Sequence, residues 1–348
     1  MKKLLKLSLI FVLSICCMFT LFGCGNTNEN NSSEATTGLV CDVKTDEEGK
    51  DYAIVEKFTL SEADALKVAS GDYADLMQEL TLNEYTENGV TYPIKEIEAG
   101  AFTNQLVLKK VIIGANVEKI GNACFAGCAN LEELVVNFVG EEADSLNSAK
   151  TICHLFGTSS FTNSIAVSNT FTAGATASTY YLPEKLSKIE VTGNVIPAYA
   201  FNGVLVKEIV LSGNVEYIGE GAFSGMTNLT KFTFPASVKE IGKQAFSNCY
   251  SLYSLDFSKA TSLTTIWQEA FSGCSMLGFG SNVVSLPSSV NKIYSGAFRG
   301  CTNLKSIDLT NTQITEIPTA CFYGCEKLVE VKYNTGVIVG NDAIPENN

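Results

Sequence analysis

Histidine and tryptophan are almost missing from this chain, which holds one of each, His154 and Trp267, in 348 residues. Catalysis by an activated nucleophile would have to run through His154, with the adjacent Cys153 as its partner. Sequence neighbours rarely face each other productively, and no Asp or Asn is marked out to orient the ring. Basic side chains are also scarce, 24 against 37 acids. So acidic a surface repels phosphate, which argues against nucleic acid as a partner. No glycine loop of the phosphate-cradling kind is present, because the glycines recur singly at a regular interval. Carboxylates are plentiful, yet no spacing singles out a pair for glycoside chemistry. The acidic stretch Asp46-Glu47-Glu48-Gly49-Lys50-Asp51 is too short for a calcium loop and reads as a solvated turn. The sequence therefore offers no catalytic residue, no cofactor site and no metal site.

What is present begins with an export signal. Lys2, Lys3 and Lys6 precede an apolar run from Leu7 to Phe22, shorter than the roughly 20 residues that a membrane span needs. The run ends in Leu21-Phe22-Gly23-Cys24, which resembles the lipobox of bacterial lipoproteins. That resemblance implies cleavage before Cys24 and attachment of lipid to its thiol, with residues 1–23 as signal peptide. The Asn/Ser/Thr-rich stretch that follows suits a flexible tether, residues 24–38.

From about Ile94 the chain repeats itself. One copy reads Ile218-Gly219-Glu220-Gly221-Ala222-Phe223-Ser224-Gly225, then Asn228-Leu229, Phe232 and Phe234-Pro235; the next has Ile241-Gly242, Ala245-Phe246, Cys249, Leu252, Leu255 and Phe257. The Ala-Phe pair returns at Phe102, Phe201, Phe223, Phe246, Phe271 and Phe298, and is varied to Cys124-Phe125 and Cys321-Phe322. Spacings run from 22 residues (Phe201 to Phe223) to 27 (Phe271 to Phe298). This pattern resembles the BspA-like bacterial leucine-rich repeats over Ile94 to Ile344. The resemblance implies a right-handed leucine-rich-repeat solenoid of parallel β-sheet and short turns, and a surface lipoprotein associated with adhesion.

The same reading follows from the residues. The Leu-x-x-Leu-x-Phe stretches alternate as strands do, and Pro235 and Pro287 close two of them. The Ala-Phe-x-Gly-Cys stretch predicts a short helical turn. A single copy buries too little to offset the ordering of its own backbone, so stability requires stacking. Nine coils at about 4.8 Å per strand predict one continuous sheet roughly 40 Å long. The period breaks between Phe125 and Phe201, where one degenerate coil (Ile152, Leu155-Phe156-Gly157, then Leu186, Ile189, Val191) carries a polar inserted loop, residues 158–179. Residues 337–345 form a closing half-coil of the solenoid, 93–348. Before it, residues 39–92 predict an α/β cap: a hairpin (Leu39–Val43, Tyr52–Val55), a helix capped by Ser61, and a second short helix over Asp72–Leu80.

The cysteines Cys128, Cys249, Cys274, Cys301 and Cys325 share one repeat position. A column of small apolar groups favours a packed spine over disulfides or over a metal at the Cys124/Cys128 and Cys321/Cys325 pairs. Cys41 and Cys153 fall outside the column and are the candidates for reactive thiols.

The candidate partner-binding residues are those pointing outward from the strands: Lys188, Glu190, Glu208, Lys231, Thr233, Ser254, Asp256, Ser306, Asp308, Glu330 and Lys332. Trp267, standing where most copies have Gly, either anchors a partner or fills a wider coil. The function expected is binding of an extracellular protein or glycan by a lipid-anchored protein on the outer face of the bacterial envelope. The alternative is an envelope spacer without a specific ligand.

Overall fold

A computed structural model describes residues 38–73, 76–143, 151–170, 176–280 and 283–345. Cys24, the signal peptide and the tether up to residue 37 lie outside the described residues. The chain opens with an antiparallel hairpin, β1 (Gly38–Thr45) and β2 (Asp51–Thr59). Helix α1 (Glu62–Ser70) follows, its first turn capped by the Ser61 side chain, which accepts from the Asp64 amide. Gly71, at φ 79°, ends it in the left-handed region. The second helix expected over Asp72–Leu80 does not form. Glu79–Leu82 is instead a strand, β3, whose inward Leu80 and Leu82 alternate with exposed Glu79 and Thr81. A second hairpin, β4 (Glu84–Glu87) and β5 (Val90–Ile97), completes this region.

Thereafter the coils contribute strands to two faces. They are β6 (Lys110–Ile113), β7 (Lys119–Ile120) and β8 (Glu133–Val136), then an inserted hairpin, β9 (Ser164–Asn169) and β10 (Ser178–Pro183). After it come β11 (Lys188–Val191), β12 (Glu208–Leu211), β13 (Tyr217–Ile218), β14 (Lys231–Thr233), β15 (Glu240–Ile241), β16 (Ser254–Asp256) and β17 (Thr265–Ile266). The last are β18 (Val284–Ser285), β19 (Lys292–Ile293), β20 (Ser306–Asp308), β21 (Glu316–Ile317), β22 (Glu330–Lys332) and β23 (Ile338–Val339). The insertion at 158–179 is thus built around an antiparallel hairpin, where an irregular loop was expected. Its Asn169 joins a polar network that ties it to the coils: Thr151 donates to Asn169 at 3.0 Å, and Asn202 donates to the Ser224 carbonyl at 3.1 Å.

The first face carries the ladder β3–β6–β8–β11–β12, all parallel and in matching register. It begins at β3, so residues assigned to the cap already belong to the repeat sheet. It does not continue as one sheet. β14 pairs only with β16, and β18–β20–β22 form a third piece. The second face is continuous where the first is broken, running β13–β15–β17–β19. The inward residues change between the first piece and the second. Inward positions of β6 to β12 hold Val, Ile or Leu, whereas β14 and its exit place Phe232 and Phe234 inside, and β16 leads to Phe257. Phe234 stacks on Phe257 at 4.6 Å, and Phe232 meets Phe246 edge-on at 4.8 Å. The two phenylalanine-bearing strands, β14 and β16, pair with each other in register, and it is their outer neighbours β12 and β18 that are not bonded to them.

The Ala-Phe-x-Gly-Cys stretches are turns, not helices. Each coil gives its amides sideways to the next coil: Phe223 to the Ala245 carbonyl (2.7 Å), Phe246 to Ala270 (2.7 Å), Phe271 to Ala297 (2.8 Å). These amides satisfy themselves laterally, so no helical i→i−4 bonds are needed. Gln244 and Asn248 take φ of 54° and 59° to aim their neighbours this way. Within the stack the phenylalanines form one column, with ring centroids 5.4, 4.9, 5.3, 5.2 and 5.7 Å apart from Phe201 through Phe322. Beside it runs the cysteine column. Its thiols donate to the preceding coil's Phe carbonyl: Cys128 to Phe102, Cys249 to Phe223, Cys274 to Phe246, Cys301 to Phe271 and Cys325 to Phe298, at 3.0 to 3.3 Å. A small apolar group with one weak donor therefore fits both the space and the carbonyl.

Cys153 and Cys41 do not stand in reactive surroundings. Cys153 is fully buried, and burial pushes its thiol up to about 12. Burial, reinforced by Glu56 and Glu87, does the same for half-buried Cys41. Thiolate character is what reactivity needs, and both sites suppress it. At the other end, the half-coil packs Ala343 inside, yet β23 leaves Ile338 67% exposed.

Candidate functional site

The outward residues of the first face form rows, because matching register places repeat-equivalent positions side by side. One row reads Glu79, Lys110, Glu133, Lys188, Glu208. Its charges alternate, and the lysines are paired within it: Lys110 with Glu79 at 3.2 Å and Lys188 with Glu133 at 3.9 Å. The neighbouring row holds Thr81, Ile112, Val135, Glu190 and Val210, with Glu190 accepting from the Ser212 hydroxyl at 2.6 Å. Farther along, Lys231 and Thr233 lie opposite Ser254 and Asp256. Ser306 and Asp308 lie opposite Glu330 and Lys332, which pair with each other at 3.5 Å. The eleven strand candidates therefore fall on three separate sheet pieces of one face.

Two of them also serve the fold. Asp256 accepts from the Ser258 amide at 2.9 Å; Asp308 accepts from the Thr310 amide at 2.9 Å and its hydroxyl at 2.6 Å. Hydrogen bonds from the Ser258 side chain and amide hold the Asp256 carboxyl below its ordinary range, and those from Thr310 do the same for Asp308. Both are turn-forming aspartates at the last position of a strand. We expect Asp308→Ala to lower stability by up to about 1 kcal/mol in denaturant unfolding, solvent keeping the effect small. Asp308→Asn, which keeps the acceptor oxygen, should retain most of it.

Trp267 lies on the second face. The repeat has Gly there because the coils touch: a Cβ at Gly219 would come within 2.5 Å of the Ala198 amide nitrogen. Trp267 swings outward instead, donating from Nε1 to Glu240 at 2.7 Å and stacking on Tyr294 at 4.5 Å. Lys292 covers Tyr294, 4.8 Å from the ring centre.

At the junction of β12 and β14 the broken ladder opens a groove of about 700 Å³, whose lining includes Lys207, Glu208, Thr230, Lys231, Thr233, Tyr253 and Lys259. Lys231 lies over the Tyr253 ring at 5.5 Å. Three candidates, Glu208, Lys231 and Thr233, are brought together here. Lys207, Tyr253 and Lys259 were missed by the sequence reading, since they sit at strand entries and exits where the repeat has no outward slot. A second groove of about 490 Å³ marks the break between β16 and β18, and includes Asp256 and Ser285.

The BspA type leucine-rich repeat region matches residues 84–191, 194–329 and 279–344, in six copies. The chain belongs to this family. No curated protein matches it. Among solved structures, a leucine-rich cell surface protein of Faecalibacterium prausnitzii is 18% identical over 87% of this chain and 95% of its own, with a TM-score of 0.32. A leucine-rich repeat protein of Bacteroides ovatus is 18% identical over 89% of this chain and 79% of its own, with a TM-score of 0.33. The pneumococcal vaccine antigen PcpA is 15% identical over 90% of each chain, with a TM-score of 0.31. The BspA-type repeat accounts for the paired faces and the lateral turn ladder. The grooves arise where individual copies depart from it.

Proposed function

We propose that this BspA-type protein is a non-catalytic binding protein of the bacterial surface. It is anchored by lipid at Cys24 and engages an extracellular protein or glycan through the outward face of β11 to β22. The observation that carries this reading is the change in charge pairing along that face. On the N-terminal ladder Lys110 and Lys188 are neutralised by neighbouring glutamates. At the β12/β14 groove Lys207, Lys231 and Lys259 form no ion pair with a carboxylate among the described residues. Unpaired charge on an ordered, solvent-facing sheet is available to a partner. Surface display of a related protein, the Faecalibacterium one, fits the location.

The test is a binding screen on protein and glycan arrays with the Cys24→Ala form. Hits are re-measured after Lys231→Glu, Asp256→Asn and Asp308→Asn, the asparagines sparing the turns. A partner whose affinity falls about tenfold or more supports the sheet face; binding indifferent to all three removes it. Labelled palmitate should enter the wild-type protein in a bacterial host and fail to enter Cys24→Ala.

A further inference from the structure

We infer that the β12/β14 groove is a subsite for an anionic saccharide, a chain bearing carboxylate or sulfate groups on its sugars; this deepens the binding role proposed above and rests on it. The chain as a whole is strongly acidic, with a formal net charge of −13. Against that background, the groove lining sets three lysines, Lys207, Lys231 and Lys259, against one carboxylate, Glu208. Elsewhere on this face Lys110 and Lys188 meet the glutamate of the preceding coil, and Lys332 meets Glu330 of its own strand. Here the balance fails for a structural reason: β12 and β14 are not hydrogen-bonded in register, so Lys231 is not held opposite Glu208 and instead lies over Tyr253. Local positive charge in a negative field selects anions, and its effect is strongest at low ionic strength.

The rest of the lining favours a sugar over an acidic peptide. Thr230 offers an exposed hydroxyl, Thr233 directs its own to the Asp256 carboxylate beside Lys259, and Tyr253 offers a half-buried ring with a cation beside it. Peptide capture by strand addition needs a free strand edge and a further 4.7–4.9 Å of spacing. β12 and β14 stay neighbours, so no strand can enter between them. Of its apolar lining, Ile209 and Leu211 are buried in the core, which leaves half-buried Val210 and Pro235 as the apolar surface a ligand can reach. Its volume lies within the range of small-ligand sites.

The probe is α-linked trigalacturonate, measured by calorimetry at low salt against its methyl ester, which is neutral, and against a short polyglutamate peptide. Wild type should bind the free acid about tenfold more tightly than either control, and the affinity should fall as salt rises. The triple variant Lys207→Gln, Lys231→Gln, Lys259→Gln should lose about tenfold or more. A matched variant on the opposite face, Lys239→Gln, Lys243→Gln, Lys292→Gln, carries the same change in net charge and should lose less than about twofold. Equal binding of the ester, equal binding of polyglutamate, or equal losses in the two variants overturns the assignment. If trigalacturonate is not bound while an array partner still responds to Lys231→Glu or Asp308→Asn, the groove assignment fails and the surface-binding role stands.

Discussion

Replacing Phe246 with alanine should cost about 3–5 kcal/mol and shift the denaturant midpoint of the whole array. Phe246 is fully buried and touches rings on both sides and across the coil: Phe223 at 4.9 Å, Phe271 at 5.3 Å and Phe232 at 4.8 Å. Its backbone amide also donates to the Ala270 carbonyl, so the ring and the lateral ladder are fixed at the same point. The cavity left behind cannot close, because hydrogen bonds of set length hold the neighbouring coils along the second face and at the turns, and β14 to β16 on the first face. Phe246→Leu, which fills most of the space, should cost less than half as much. The loss should not stay local, since each coil of an array gains its stability from its neighbours. Guanidinium titration followed by circular dichroism measures both variants; an alanine variant that unfolds with the wild type would show that the phenylalanine column does not hold the stack.

Mild alkali should unfold the protein. Burial raises the thiols of Cys124, Cys128, Cys153, Cys274, Cys301 and Cys321 above the ordinary value of 9.0, and neighbouring thiols raise several of them further. In the unfolded chain these groups lose their protons near pH 9; in the folded chain Cys128 and Cys153 keep theirs to about 12, and burial holds the other four above the ordinary value as well. The folded state binds more protons across that window, so stability falls as pH rises through it and is fully present below it. Each thiol withdraws about 1.4 kcal/mol per pH unit once the unfolded form is ionised. Six acting together remove several kcal/mol within about one unit, comparable to the whole stability of an ordinary domain. Thermal midpoints should therefore hold level up to about pH 8.5 and drop steeply above 9. Substituting Cys274 and Cys301 by alanine should flatten that drop. An unchanged pH profile would mean that these thiols do not govern it.

Much of this was readable in the residues, for a reason each element makes plain. The period of Ile-Gly and Ala-Phe set the coil, and the inward pattern of Leu, Ile, Val and Phe set which side of each strand is buried. Ser61 marked the start of α1. The equivalent positions of the cysteines placed them in one column before any contact was known. These are local or periodic signals, and stacking identical units converts them directly into structure. The Glu79–Leu82 strand was misjudged because its partner, Lys110–Ile113, lies a full coil away and Leu80 suits a helix as well as a strand. The turn carrying Ala-Phe-x-Gly is compact in sequence, but its amides bond to the next coil, and that choice is invisible until the coils are side by side.

The candidate site divides the same way. Sequence alone determined that this protein is a repeat array with an acidic exterior, one histidine and an outward row of polar residues at known positions. Only the tertiary structure decided which of those residues act together. On the first face β12 pairs with β11 and β14 with β16, but β12 and β14 are not bonded to each other, so the sheet parts there while the second face stays paired. Pairing between neighbouring coils settles that opening, and no single copy of the repeat contains the information.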